Sequence, residues 1–183
     1  MQRMTYQAIC DELAAANGWL SYLGIREEQD RIRQHIRRIE GLEQARQDGK
    51  LVEASQGEEG RLAMFSLTEA MEFLDICTAF TGEPPAGLRG RLRGVLRGPA
   101  DSADESLDSN QARNIIFELN VASRLRVRGI PVALPENPDV LCDFLGTPIY
   151  FQCKRPFRAT TIAVNIDNAR HGGHTTLQSE WSL

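Results

Sequence analysis

A chain of 183 residues, 42% hydrophobic and 25% charged, has the composition of a globular protein with room for a sizeable core in one or two domains. Its formal net charge of −4 does not advertise nucleic-acid binding, so any contact with phosphates must come from local patches. The apolar runs are too short to span a bilayer, and Asp11 and Glu12 follow Met1 too closely to leave a signal peptide its apolar core; a cytoplasmic protein with no membrane partner is expected.

The first half reads as helical. Thr5 through Leu23 places Ile9, Leu13, Trp19, Leu20 and Leu23 on an apolar face, which Asn17-Gly18 could interrupt. Arg26 through Gln47 is highly charged, with Ile32, Ile36, Ile39 and Leu42 at helical spacing. That narrow seam suits a helical hairpin, a partner helix or self-association. Asp48-Gly49-Lys50 ends the helix, and residues 51–65, containing Gly and Glu, read as a loop. Ser66-Leu67-Thr68-Glu69 has the pattern of a capping box, opening a helix that runs to about Phe80 and stops at Gly82-Glu83-Pro84-Pro85. From Gly87 to Gly98, Leu88, Leu92, Val95 and Leu96 form one stripe, while Arg89, Arg91, Arg93 and Arg97 add positive charge with no acid among them. One reading is a phosphate-contacting face led by Arg89 and Arg93; the other is the solvated face of a short amphipathic helix. The glycines do not fit a phosphate-cradling loop.

Pro99 through Ser109 is acidic and rich in small residues, and makes the best domain boundary in the chain. Ser109 or Asn110 can cap the next helix, which Gly129 ends, with Arg124, Arg126 and Arg128 favourably placed in its last turns. On its wheel Ala112, Ile115, Leu119, Ala122 and Leu125 form the apolar stripe and Glu118 sits at the margin. An acid there is costly to bury unless paired, hydrogen-bonded or bound to metal. It either reaches solvent or pairs with Arg113 or Arg126, or it serves a site. Ile130 through Leu134 reads as a short edge strand.

Chemistry concentrates between Asn137 and Pro156, which reads as two strands joined at Gly146-Thr147-Pro148. Strand alternation gives Asp139, Leu141 and Asp143 one face, and Gln152 and Lys154 one face of the second strand. Folding at the turn sets Asp139 beside Gln152 and Lys154 at the open end, with Asp143 nearer the turn as the reserve carboxylate. Phosphodiester hydrolysis needs a hard cation to polarise the phosphoryl group and acidify a water. Mg²⁺ accepts few protein oxygens, so Asp139 with the Gln152 carbonyl oxygen is a workable start. Lys154 can orient the water or stabilise developing charge. Cys142 and Cys153 point to the opposite, core face; with Cys10 and Cys77 they form no CxxC pair, and the three histidines complete no zinc pattern. Buried free thiols in a reducing compartment are expected.

Pro138-Asp139 followed by Gln152-Cys153-Lys154, with the Ala112–Leu125 helix carrying Glu118 upstream, resembles the PD-(D/E)XK, or restriction-endonuclease-like, nuclease superfamily over roughly residues 109–170. The resemblance implies an α-β-β-β-α-β core, cleavage of nucleic acid dependent on a divalent metal such as Mg²⁺ or Mn²⁺, and a cluster of Glu118, Asp139, Gln152 and Lys154; Asp143 stays the reserve metal ligand that the strand geometry offers. Gln152 departs from the usual acid, although some active members, such as transposon end-cleaving nucleases, are similar in using glutamine there. The segment after Lys154 is short for the family. The expectation is therefore an α+β chain: a helical region over 1–98, an acidic linker over 99–109, and a shortened nuclease-like α/β core over 110–183. Its expected function is metal-dependent hydrolysis of DNA, with Arg155, Arg89 and Arg93 on phosphates. The alternative is an inactive nuclease-like module that binds nucleic acid, or a protein partner through its N-terminal helices. A helix is expected over residues 161–170, and His171 and His174 stand in a tail expected either to bind metal weakly or, the favoured reading, to be mobile.

Overall fold

The computed structural model describes residues 4–25, 30–100, 111–153 and 166. Among the described residues six helices precede three strands: α1 Tyr6–Tyr22, α2 Asp30–Gln47, α3 Leu51–Ala54, α4 Gly57–Ala79, α5 Leu88–Arg97, α6 Gln111–Val127, β1 Val132–Ala133, β2 Val140–Phe144 and β3 Thr147–Phe151. The protein is thus a mixed α+β chain with an N-terminal helical stretch and a small antiparallel sheet packed against α6. Among the described residues no helix is long and apolar enough to cross a membrane.

Thr5 caps α1, its hydroxyl accepting the Ala8 N–H at 3.1 Å. The helix continues unbroken through Asn17-Gly18, because Leu13 and Leu20 bury fully on either side and offset the roughly 1 kcal/mol penalty of a helical glycine. α2 packs its isoleucine seam against α1 and α4, so this face is core within the chain.

The expected loop over 51–65 is instead α3 and the first turns of α4. Gln56 is the α4 N-cap and Glu58 and Glu59 occupy its first turn, where acids complement the helix dipole. Ser66 and Glu69 are therefore not a capping box; both lie in the middle of α4, at 0% and 2% exposure. The buried face there runs Gly60, Ala63, Ser66, Glu69, Ala70, small or polar positions that give no hydrophobic period. Helix α4 ends at Phe80, as expected.

α5 buries the anticipated Leu88, Leu92, Val95 and Leu96. Its N-cap, Gly87, has φ 86°, and a Cβ there would lie 2.4 Å from the Leu134 carbonyl oxygen, so both conformation and space require glycine. α5 runs antiparallel to α6. A Cβ on Gly94 would meet Ile115 Cδ1 at 2.8 Å and one on Gly98 would meet Ala112 Cβ at 2.1 Å, so glycines that weaken α5 as a helix allow its close approach to α6.

One buried carboxylate links four helices. Arg31 Nη2 of α2 bonds Glu69 Oε2 of α4 at 2.6 Å, and His35 Nε2 stands 3.3 Å from the same oxygen. Arg113 Nε of α6 lies 3.4 Å from Glu69 Oε1, with its guanidinium 4.2 Å above the Phe65 ring. Arg31 Nη1 also donates to the Val95 carbonyl of α5 at 3.3 Å. The hydrophobic cluster is likewise continuous, running from Ile9 of α1 through Leu92 of α5 and Leu119 of α6 to Val140 and Cys153.

The sheet has order β1-β2-β3, antiparallel throughout. Within the described sheet β1 is the edge strand expected around Ile130–Leu134. The hairpin ladder runs from Val140↔Phe151 to Phe144↔Thr147. Its turn is Leu145-Gly146, with φ 55° and 81°, the two positive values of a type I′ turn. Thr147 and Pro148, expected in the turn, begin β3 instead. Within the described sheet β3 is an edge, where a residue without an N–H is tolerated.

Candidate functional site

The chain enters β2 through a cis Asn137–Pro138 bond. Val140 and Cys142 face the core at 0% and 2% exposure, so Asp139, Leu141 and Asp143 take the outer face. One step beyond the Val140↔Phe151 pair sets Asp139 opposite Gln152, on the same outer face. Asp139 is half-buried and Gln152 exposed. Asp139 Oδ2 accepts the Cys153 N–H at 2.6 Å, which closes the open end of the hairpin beyond its last ladder pair. The structure thus brings Asp139 together with the Gln152-Cys153 segment. Lys154 and Arg155, the next two residues, lie outside the described residues, as do His171 and His174. Of the helix expected over 161–170 only Ile166 is described, with helical backbone.

Asp143 is not brought to this end. At about 3.3 Å per residue its Cα is about 13 Å along the strand from that of Asp139. Its Oδ1 accepts the Gly146 N–H at 2.7 Å, making it a residue of the turn.

Glu118 is 8% exposed on α6. Its carboxylate is met by Arg91 Nη1 of α5, while Arg91 Nη2 donates to the Pro135 carbonyl. Of the partners expected for Glu118, Arg113 extends to Glu69, and Arg126 donates to the Glu83 carbonyl at 2.7 Å and lies over the Phe80 ring. By sequence Arg91 is one of four like charges on an amphipathic helix, phosphate-contacting or solvated. The available signal was its spacing to Gly94 and Gly98, which share its side of α5 and mark a close neighbour.

Arg89 and Arg93 are exposed, but each lies about 160° around α5 from Arg91, so the structure does not bring them to Glu118. Arg93 donates to the Gly24 carbonyl at 3.1 Å. With Arg97 they form an exposed row at four-residue spacing on the other flank of α5.

Among the described residues no group of three or more His, Cys, Asp or Glu side chains gathers to hold a metal ion. The donors at the open end of the hairpin are one carboxylate and one amide oxygen, both hard, a set that fits a largely hydrated Mg²⁺. The cysteines are free and buried. Burial, with nearby Glu40, Asp11 and Glu43, pushes the Cys10 thiol up to about 11, and burial pushes Cys77 up to about 12. Cys142 is raised by burial and by Asp143. None of these three is an activated nucleophile. No family model, curated protein or solved structure matches the chain.

Proposed function

We propose that the protein is a divalent-metal-dependent nuclease that hydrolyses DNA phosphodiester bonds, built on a restriction-endonuclease-like core that begins with α6 and β1–β3. The observation that carries this reading is the open end of the hairpin, where Asp139 faces Gln152 and accepts the Cys153 amide, one residue before Lys154. Asp139, through its second oxygen, and the Gln152 carbonyl would hold Mg²⁺ or Mn²⁺, which supplies a polarised phosphoryl oxygen and an acidified water. The Cys153 N–H fixes the Asp139 carboxylate, so little reorganisation is needed at the moment of reaction. Lys154 orients the attacking water or stabilises charge at phosphorus. Glu118 adds negative charge or positions a water, in a balance with Arg91. Arg155, Arg89 and Arg93 are proposed phosphate contacts, and the buried free thiols suit a reducing cytoplasm.

A second reading is favoured by the Arg91–Glu118 pair and by the exposed Arg89, Arg93 and Arg97 row: an inactive module that binds nucleic acid, or a protein partner or second copy through its helices. The test is incubation with plasmid DNA and Mg²⁺ or Mn²⁺. Nicking that depends on metal and is lost in Lys154→Ala supports the nuclease; no cleavage at high protein and low salt supports the module. Gln152→Glu separates them further. It should preserve or raise metal affinity and cleavage in the enzyme, and only weaken DNA binding in the module.

A further inference from the structure

We infer that Arg91, a residue of the helical half, is a positioning residue for the hairpin site: it ties the Glu118 carboxylate to the 134–139 segment that delivers Asp139. The inference rests on the nuclease reading for its functional consequence, and on geometry for the rest.

The guanidinium is a rigid planar fork with several donors, able to serve two acceptors at fixed relative positions. Arg91 uses Nη1 on Glu118 and Nη2 on the Pro135 carbonyl, and its side chain is only 14% exposed. The base of the fork is itself fixed, since α5 is anchored by Leu88 and Leu92, both fully buried. The same segment packs closely on α5 a second time at Leu134, 4% exposed, whose carbonyl oxygen lies 2.4 Å from where a Cβ of Gly87 would stand. Residues 134–135 are therefore seated on α5, closely packed where Gly87 leaves room and hydrogen-bonded by Arg91. Four residues later the chain presents Asp139, whose carboxylate takes the Cys153 N–H.

Glu118 acquires a definite task in this arrangement. A carboxylate at 8% exposure requires a counter-charge, and here it acts as the counter-ion that holds Arg91 in place. Its effect on Asp139 then runs through the guanidinium and the Pro135 carbonyl. Lysine at position 91 keeps the charge but, as a single ammonium on a flexible stem, cannot reproduce the planar two-way contact.

The test compares wild type with Arg91→Lys and Glu118→Gln, all as full chains, by site-resolved amide exchange and by Mn²⁺ binding. In both variants the Cys153 amide should exchange about tenfold faster or more, and Mn²⁺ affinity should fall about 10–100-fold, the range seen when an outer-shell orienting contact is lost. The Gly146 amide, bonded to Asp143 at the far end of the hairpin, and the amides of α1 should keep their rates, which separates positioning from general loss of stability. Unchanged Cys153 exchange in either folded variant overturns the inference, as does acceleration spread equally over Gly146 and α1. If Arg91→Lys does not fold, Glu118→Gln, which keeps shape and a carbonyl acceptor, carries the same two measurements. Wild type that neither binds Mn²⁺ nor cleaves DNA defeats the nuclease reading, while the exchange result still decides whether Arg91 positions the Asp139 segment.

Discussion

Replacing Glu69 by alanine should be the most damaging single change in the helical half. The carboxylate is 2% exposed and sits among Arg31 at 4%, His35 at 5% and the largely buried Arg113. Its removal leaves buried positive charge without compensation, which costs about 3–5 kcal/mol when one partner of a buried pair is deleted. A cavity lined by Leu13, Arg31, His35, Phe73 and Ile116 already adjoins the site, so truncation also enlarges a void. For a chain of this size each kcal/mol lowers Tm by about 2–4 °C, and the expected drop is about 6–20 °C. The assay is urea unfolding followed by circular dichroism, with the midpoint falling at constant slope. The pH dependence gives an independent handle. Burial alone would raise the Glu69 carboxyl, but the contacts of His35 and Arg31 outweigh it and the net shift is downward. A carboxyl depressed in the folded state stabilises above its unfolded value of about 4.3 and loses that contribution as pH falls through the folded value. The gap between wild type and Glu69→Ala should therefore be widest near neutrality and narrow in acid. A loss below about 1 kcal/mol at pH 7, the scale of an exposed pair, or a gap independent of pH, would refute the account.

Two further predictions concern the hairpin. Asp139→Ala should lower metal-dependent cleavage by at least about a hundredfold, the scale of a well-placed electrostatic group. Asp143→Ala should leave cleavage near wild type and instead accelerate exchange of the Gly146 amide; equal loss of cleavage in both would show that the two carboxylates act together. Leu145→Asn should stabilise the hairpin by recovering part of the roughly 1–2 kcal/mol that the left-handed region costs a residue such as leucine. Leu145 is 90% exposed, so little packing is lost, and Asn-Gly is a strongly favoured type I′ pair. Slower exchange across β2 and β3 is the expected result, and faster exchange would mean that the leucine side chain has a contact role.

The legible parts of the chain were those where one residue type serves one purpose. Leucines at 88, 92 and 96 gave α5 its buried face, and period-two alternation around Cys142 set Asp139 on the outer face, opposite Gln152. The start of α4 was illegible because its buried positions are Gly60, Ala63, Ser66 and Glu69, where space and charge pairing replace hydrophobicity. The true turn escaped because Leu145 adopts a conformation that its residue type disfavours, leaving Thr147-Pro148 the stronger local signal. Glu118 was recognisable as an acid needing a partner, but the choice of Arg91 over Arg113 or Arg126 depends on which helices meet. That is decided by Gly94 and Gly98 on α5 and by Glu69, which draws Arg113 to the opposite side. Pairings across elements distant in sequence leave no periodic trace in either element.

The same cross-element pairings make a strong expectation about fragments. Residues 1–100 lack α6, whose Ile116 and Leu119 are 2% and 0% exposed in the intact chain. α6 packs against both α4 and α5, so its absence uncovers their facing surfaces. Burial of those two side chains alone is worth about 3–6 kcal/mol. The fragment also loses Arg113 from the Glu69 cluster and Glu118 from Arg91, leaving the acid and the arginine short of a partner. It should bind a hydrophobic dye and self-associate in sedimentation, and a peptide spanning residues 110–129 should reverse both. Self-association of the fragment would then report the vacant seat of α6 and would be no support for a partner-binding role of the N-terminal helices. A monomeric fragment with cooperative unfolding at wild-type stability would mean that the helices form a core without α6, and would return weight to the reading in which they are an independent interaction module.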